Sequence, residues 1–319
     1  MPAQKGYIAI TDPAWYAFLS AQRQVDEVNF WQPHGNRAFR ALDRGSPLFF
    51  KLHAPHRAIA GFGFFERYEA LPAWLAWQCF GEMNGAPDFE SMVDRILELR
   101  HDDSPSARAG DFQIGCIMIA APVFFAPAEW VNPPADWAKT GIQQGKAYHL
   151  DAGEGRRVFQ ECLGRATTGD RYWNVERDPL VVAADSPRYG NVIEVRPRLG
   201  QGLFRLAVRD AYGRACAVTG EHSEPALEAA HIKPYRQGGQ HSVDNGLLLR
   251  SDLHRLYDRG YVTVTPDYVF RVGDRLRDEF KNGRSYYGLN GQRIRCPDAG
   301  TLRPRRELLE WHASTTYRG

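Results

Sequence analysis

The chain is short of cysteine and lacks paired cysteine altogether. Cys79, Cys116, Cys162, Cys216 and Cys296 are the only five among 319 residues, and they stand far apart. Without a CxxC pair, neither a disulfide framework nor a cysteine-built zinc knuckle is indicated, so free thiols are expected, some of them buried. Long apolar runs are missing too. The longest candidate, Ile114 to Ala128, is broken by proline and falls below the roughly 18 residues that a membrane-spanning helix needs. The N-terminal MPAQKGYIAITDPAW has no apolar core of the kind a secretory signal carries, which points to the cytoplasm. Internal repeats and low-complexity tracts are absent, which excludes a solenoid or a disordered linker protein.

What is present suits a folded chain of two domains. A hydrophobic fraction of 43% with 24% charged residues leaves enough apolar surface to offset the entropy of ordering. The net charge of +2 conceals an asymmetry. From Arg196 onward there are 21 Lys and Arg against 14 Asp and Glu, a net of +7, and the remainder carries 19 against 24, a net of −5. A positive field over the C-terminal part suits a polyanion such as DNA, though an Arg-rich solvated surface has the same composition.

Local signals place the elements. TDPAWYAFLSAQ has Thr11 or Asp12 as N-cap, Pro13 in the first turn, and Trp15, Phe18 and Leu19 at helical spacing. PLFFKL and AIAGFGFF, separated by the turn-rich HAPHR, form a hairpin-like pair of strands. DFESMVDRILELR predicts a helix capped by Asp88 that buries Phe89, Met92, Ile96 and Leu99. FQIGCIMIAAPVFF predicts a central strand, and VNPPADW a closing turn. Residues 151–195, with a helical EGRRVFQECLGRA, are expected to be a linker with some structure. YVTVTPDYVFRV predicts a hairpin turning at TPD.

Chemistry concentrates between Cys216 and Val264. LEAAHIKPY puts His231 on a strand, ahead of Pro234 and a loop containing Gly238 and Gly239. After Asn245, Ser251 is expected to cap a short helix in which His254 and Asp258 share a face before Gly260 ends it. Phosphodiester hydrolysis needs a base to take a proton from water and a divalent cation to neutralise developing charge. His231 suits the base, and His254 with Asp258 suit the cation. Each has a plainer reading: a satisfied strand histidine, an exposed i, i+4 pair, and for Asn245 an ordinary Asn-Gly turn.

Residues 196 to 285 resemble the HNH endonucleases, whose ββα-metal fold clasps one ion between a two-stranded ribbon and a helix. The resemblance lies in AAHIKP, DNGLLL and LHRLYD. It implies His231 as general base, Asn245 as the brace of the loop, and His254 and Asp258 as ligands of Mg²⁺, Mn²⁺ or another divalent cation. Ala230 departs from the pattern, because many members place an Asp or His ligand directly before the base. Glu228 or water then completes the coordination, or the ligand set is thinner. Cys216 is expected to be a lone buried thiol at a turn. Arg271, Arg275, Arg277, Lys281 and Arg284 either touch phosphates or solvate a surface.

The N-terminal block NFWQPHGNRAFRALDRGSPLFFKLHAPHRAIAGFGFF is similar to the EVE group of PUA-like β-barrels over residues 5 to 148. That resemblance implies a reader of modified bases, and its pairing with an HNH module resembles modification-dependent restriction enzymes. A flipped base needs an aromatic wall and amide partners, which Trp31, Phe30, Asn29 and Gln32 offer. Adjacent aromatics on a strand face opposite ways, favouring Trp31 over Phe30 for this duty, although both also suit a core. Trp74, Trp77 and Phe80 sit at a spacing that suits a core better than a cage.

The fold expected is α+β, a PUA-like (EVE-type) β-barrel with flanking helices over 1–150, the linker over 151–195, and a ββα-metal HNH domain over 196–319. The function expected is restriction of double-stranded DNA carrying 5-methyl- or 5-hydroxymethylcytosine, by base flipping and metal-dependent hydrolysis, with a homodimer plausible for double-strand cutting. Two alternatives stay open: a catalytically weak or inactive DNA-binding protein of the same fold, and an HNH nuclease acting on unmodified nucleic acid.

Overall fold

The computed structural model describes residues 5–102, 104–138, 141–142, 144–168 and 200–319. Residues 169–195 of the expected linker lie outside the described residues. The chain divides into two compact units, Met1–Arg198 and Leu199–Gly319, and is α+β. Among the described residues no helix is long and apolar enough to cross a membrane.

In the first unit, β1 (Lys5–Thr11) leads into α1 (Pro13–Ser20), β2 (Glu27–Gln32), β3 (Pro47–Leu52), β4 (Ile59–Pro72), α2 (Ala73–Phe80) and α3 (Phe89–Arg100). β5 (Gln113–Phe124), β6 (Gly145–His149) and α4 (Gly153–Thr168) complete it. Asp12 caps α1, accepting from the backbone N–H of Ala14 at 2.7 Å and of Trp15 at 3.1 Å. The six strands form one sheet in the order β2-β5-β4-β3-β1-β6, with β1 and β3 parallel and the other neighbours antiparallel. The expected central strand is β5, interior to the sheet. Gln32, at the end of edge strand β2, reaches Gln144, next to edge strand β6, at 3.4 Å, so the sheet curls until its edges approach at one end.

Both faces of this sheet are covered, which explains why PLFFKL reads as an unbroken apolar run. Leu48, Phe50 and Leu52 face a core shared with Trp15, Tyr16 and Leu19 of α1, while Phe49 faces a second core with Phe62, Val158, Phe159 and Cys162. The helix expected inside a linker is therefore α4, and it packs as part of the first unit. Gly61 answers a close approach, since a Cβ there would stand 2.2 Å from the Val123 carbonyl oxygen. In α3 the buried stripe is Met92, Val93, Ile96 and Leu97, with Leu99 exposed.

The second unit contains α5 (Gln201–Ala211), β7 (Leu227–His231), β8 (Gly246–Arg250), α6 (Ser251–Asp258), β9 (Val262–Val264) and β10 (Phe270–Val272). It ends with α7 (Arg275–Phe280), α8 (Arg284–Tyr287) and α9 (Arg306–Thr315). β7 and β8 pair antiparallel, with His231 opposite Gly246, and β8 runs directly into α6. The predicted second hairpin is β9 with β10. Phe204, Val208, Leu247, Leu249, Leu253, Tyr257, Val262 and Leu309 share a single core. All five cysteines are free thiols, four of them buried, and Cys216 sits in a turn closed by the Gly220 N–H on its carbonyl at 2.9 Å.

Candidate active site

The site is built on the strand-loop-strand-helix run from β7 to α6. Gly246 lies across the ladder from His231, and a Cβ there would stand 2.4 Å from Val208 Cγ2. That close approach lets α5 lie across the ribbon and set Phe204 face to face with the His231 ring, centroids 3.9 Å apart and planes 16° from parallel. The His231 Nε2 meets His241 Nδ1 at 2.9 Å. Burial, then the neighbouring His241, Arg205 and His254, push the His231 pKa down to about 4. At neutral pH the ring is uncharged and able to take a proton.

The loop between the strands is held by Asn245, which is fully buried. Its Oδ1 accepts from the Lys233 N–H at 2.9 Å, and its Nδ2 donates to the carbonyls of Lys233 at 3.0 Å and Gln240 at 2.9 Å. Asn245 thus sits as a brace inside the loop and touches no reacting group directly.

On α6, His254 and Asp258 share a face as the i, i+4 spacing requires. His254 Nε2 stands 3.4 Å from an Asp258 carboxylate oxygen, and His254 Nδ1 meets Glu228 Oε2 at 2.6 Å. Partial burial, with the Glu228 carboxylate adding to it against the pull of His254, holds Asp258 above the usual carboxylate range. Ser251 is the first residue of the helix and does not cap it; the cap position is Arg250, without a side-chain bond to the helix backbone. Arg250 instead pairs with Asp252 at 2.6 Å.

Among the described residues no group of three or more His, Cys, Asp or Glu is placed to hold a metal ion. The donors present nevertheless fit a hydrated divalent cation. Mg²⁺ commonly takes one or two protein carboxylates and keeps several waters, and a ligating imidazole commonly donates its other N–H to a carboxylate, the place Glu228 occupies at His254 Nδ1.

Three contributors were not singled out from the sequence. Phe204 is legible as the first of an i, i+4, i+8 apolar row with Val208 on α5 and Tyr212 at its C-cap. His241 and Tyr235, whose rings stack at 4.7 Å, carry no signal in a Gly-rich loop. Of the basic residues, Arg275 pairs with Glu279 and Arg277 with Asp274, whereas Arg271, Lys281 and Arg284 make no ion pair among the described residues.

In the first unit the four reader candidates lie together on β2 but do not share an environment. Asn29 is fully buried, and its Nδ2 donates to Asn84 Oδ1 at 2.9 Å, so its assignment to a base pocket is corrected: it is a core amide. Phe30 packs edge-on to Trp15 and parallel to Phe50. Trp31, half-buried, donates its indole N–H to the Asn84 carbonyl at 2.8 Å, and Gln32 ends the strand. Phe80 is buried, and Trp77 packs with Phe89.

Residues 216–265 match the family model for HNH endonuclease. This segment is an HNH endonuclease domain, a module of phosphodiester hydrolases. Among solved structures, a modification-dependent TagI restriction endonuclease aligns over 98% of this chain and 81% of its own, at 12% identity and a TM-score of 0.34. The ASCH protein from Zymomonas mobilis aligns over 48% of this chain and 94% of its own, at 9% identity and a TM-score of 0.32. A search of curated proteins returned no match.

Proposed function

We propose that the protein is a modification-dependent DNA endonuclease, its second unit hydrolysing phosphodiester bonds and its first unit, a PUA-like reader, binding the modified base. The observation that carries the hydrolytic part is the neutral His231 imidazole, clamped against Phe204 on the same ribbon-and-helix module as His254 and Asp258. His231 takes the proton of the attacking water, and Arg205 and His254 beside it favour release of that proton afterwards. His254 and Asp258 would hold the divalent cation, with Glu228 orienting the imidazole. Bound there, the cation supplies charge neutralisation at the phosphate and leaving oxygen.

Reading of the base is proposed for the β2 edge, where Trp31 supplies a half-buried ring and Gln32 an amide. Asn29 and Asn84 position Trp31 from inside. A cytosine substituent of one or two heavy atoms adds about 1 to 3 kcal/mol of discrimination through pocket contact, so recognition depends on close fit. A flipped base on one unit and a cleavable phosphate on the other then belong to the same duplex, and two copies of the chain would cut both strands.

The test is digestion, with Mg²⁺ or Mn²⁺, of matched plasmids carrying unmodified, 5-methyl-, 5-hydroxymethyl- or glucosylated cytosine, by wild type and by His231→Ala. Wild type is expected to cut at least one modified plasmid in preference to the unmodified one, and the variant to bind equally and cut at least 100-fold more slowly. Equal cutting of all four plasmids removes the reader, and an unimpaired variant removes His231 as base.

A further inference from the structure

We infer that His241 is the positioning residue of the base: it accepts the Nε2 proton of His231 and so fixes His231 in the tautomer whose Nδ1 lone pair faces the reaction. The inference rests on the nuclease reading and deepens it.

The geometry allows two neutral arrangements. With one proton shared along the 2.9 Å contact between His231 Nε2 and His241 Nδ1, either His231 donates or His241 does. If His241 donates, the His231 lone pair at Nε2 is engaged by His241 and its Nδ1 carries the proton, leaving no nitrogen that can take a proton from water. If His231 donates, Nδ1 is bare. Among the described residues no hydrogen bond is made to that Nδ1, so it is the nitrogen left for water. Only the second arrangement makes His231 a base.

His241 is itself held for this task. Tyr235 stacks on its ring at 4.7 Å with planes 7° apart, and Asn245 grips the carbonyl of Gln240, the residue just before it. The His231 and His241 rings meet at 64° with centroids 5.0 Å apart, while Phe204 covers the face of His231. The groups that face His231 from the packed elements are His241 from the loop, Arg205 from α5 and His254 from α6. None is a carboxylate, so no acidic partner orients the imidazole as in a serine-protease triad, and the His241 ring takes that place.

The proton balance follows. A water proton passes to His231 Nδ1, and the electron pair it leaves on oxygen forms the new bond to phosphorus. The bond from phosphorus to the leaving oxygen breaks with its electrons, and that oxygen takes a proton from solvent. His231 is then an imidazolium, and its Nε2–H bond to His241 becomes charge-assisted and stronger. The contact therefore favours the transition state over bound substrate, and its loss should lower kcat while leaving DNA affinity in place.

The experiment compares full-length wild type, His241→Ala and His241→Asn by single-turnover cleavage and DNA binding, and reads the His231 ring nitrogens by ¹⁵N NMR. Asn offers an oxygen acceptor near the position of His Nδ1. Expected are a bare Nδ1 on His231 in wild type, a mixture of tautomers in His241→Ala, and a 10- to 100-fold fall in cleavage at unchanged Kd, about the scale of a misoriented base, largely recovered in His241→Asn. Cleavage by His241→Ala at the wild-type rate, or an Nδ1-protonated His231 in wild type, overturns the inference. Should His241→Ala fail to fold, His241→Asn and the wild-type nitrogen shifts still decide it. A wild-type chain that cuts no DNA defeats the nuclease reading instead, and the tautomer is then settled by the nitrogen shifts alone.

Discussion

Every polar atom of the Asn245 amide is engaged, one oxygen accepting a backbone N–H and one nitrogen donating to two carbonyls. The sequence marks this residue only as the first half of an Asn-Gly pair, which a plain turn explains as well. The distinction lies in burial, since an amide facing solvent could exchange its partners for water and a buried one cannot. Asn245→Asp keeps the shape and the oxygen acceptor but sets a second acceptor, partly charged, against the carbonyls of Lys233 and Gln240. We expect it to lower unfolding free energy by about 3 kcal/mol at neutral pH, seen as a fall in the urea midpoint at unchanged slope. An unaltered midpoint would mean that these bonds do not hold the loop. His231 and His241 were unequally legible for a similar reason: a histidine ahead of Lys-Pro on a strand has a pattern around it, whereas a histidine in a loop is recognised only by what its ring touches.

At the level of elements, pattern and cap predict most of what forms. α1, α3, the β3–β4 pair and the β9–β10 hairpin stand where turn residues and periodicity put them, and the β7–β8 ribbon stands where the family resemblance implies it. What could not be read is which neighbour covers a face. Leu97 rather than Leu99 joins the buried stripe of α3, and α4 belongs to a core that also holds Ile8, Phe49, Ile59, Phe62 and Phe64 from far earlier in sequence. Ser251 fails as a cap because β8 continues into α6 without a loop. α9 shows the same dependence on distant partners. His312, 2% exposed, stacks on Tyr257 at 3.7 Å, meets Thr263 Oγ1 through Nδ1 at 2.8 Å, and donates Nε2–H to the Tyr257 carbonyl at 3.1 Å. Burial pushes its pKa down to about 4, against the Tyr257 bond. From pH 6.5 down to about 4 the unfolded chain therefore binds a proton that the folded one does not, and stability falls as pH falls, by about 3 kcal/mol at the lower end. His231 acts in the same direction through its own lowered pKa. Urea midpoints measured across that range should show the loss, and His312→Gln should remove roughly half of the slope. A pH-independent midpoint in wild type would contradict the burial of both rings.

Across the whole molecule, sequence and structure divide the chain in related ways. The C-terminal part carries the positive excess, and Leu199–Gly319 has its own core, running from Phe204 on α5 to Leu309 on α9. Many of its arginines are engaged with carboxylates, Arg209 with Glu224, Arg250 with Asp252 and Arg305 with Asp244, so the phosphate contacts should come from fewer residues than the composition suggests. A unit with a closed core and a complete candidate site should fold and act without the other. We expect a fragment of residues 200–319 to unfold cooperatively and to cut DNA in the presence of Mg²⁺ or Mn²⁺. It should have lost any preference between modified and unmodified plasmids, because phosphate contacts carry no base information. Its binding should weaken steeply with salt, following the basic residues that no carboxylate engages. A fragment that still preferred the modified plasmid would move base reading into the nuclease unit, and one that folded yet cut nothing would mean that the first unit contributes to hydrolysis itself.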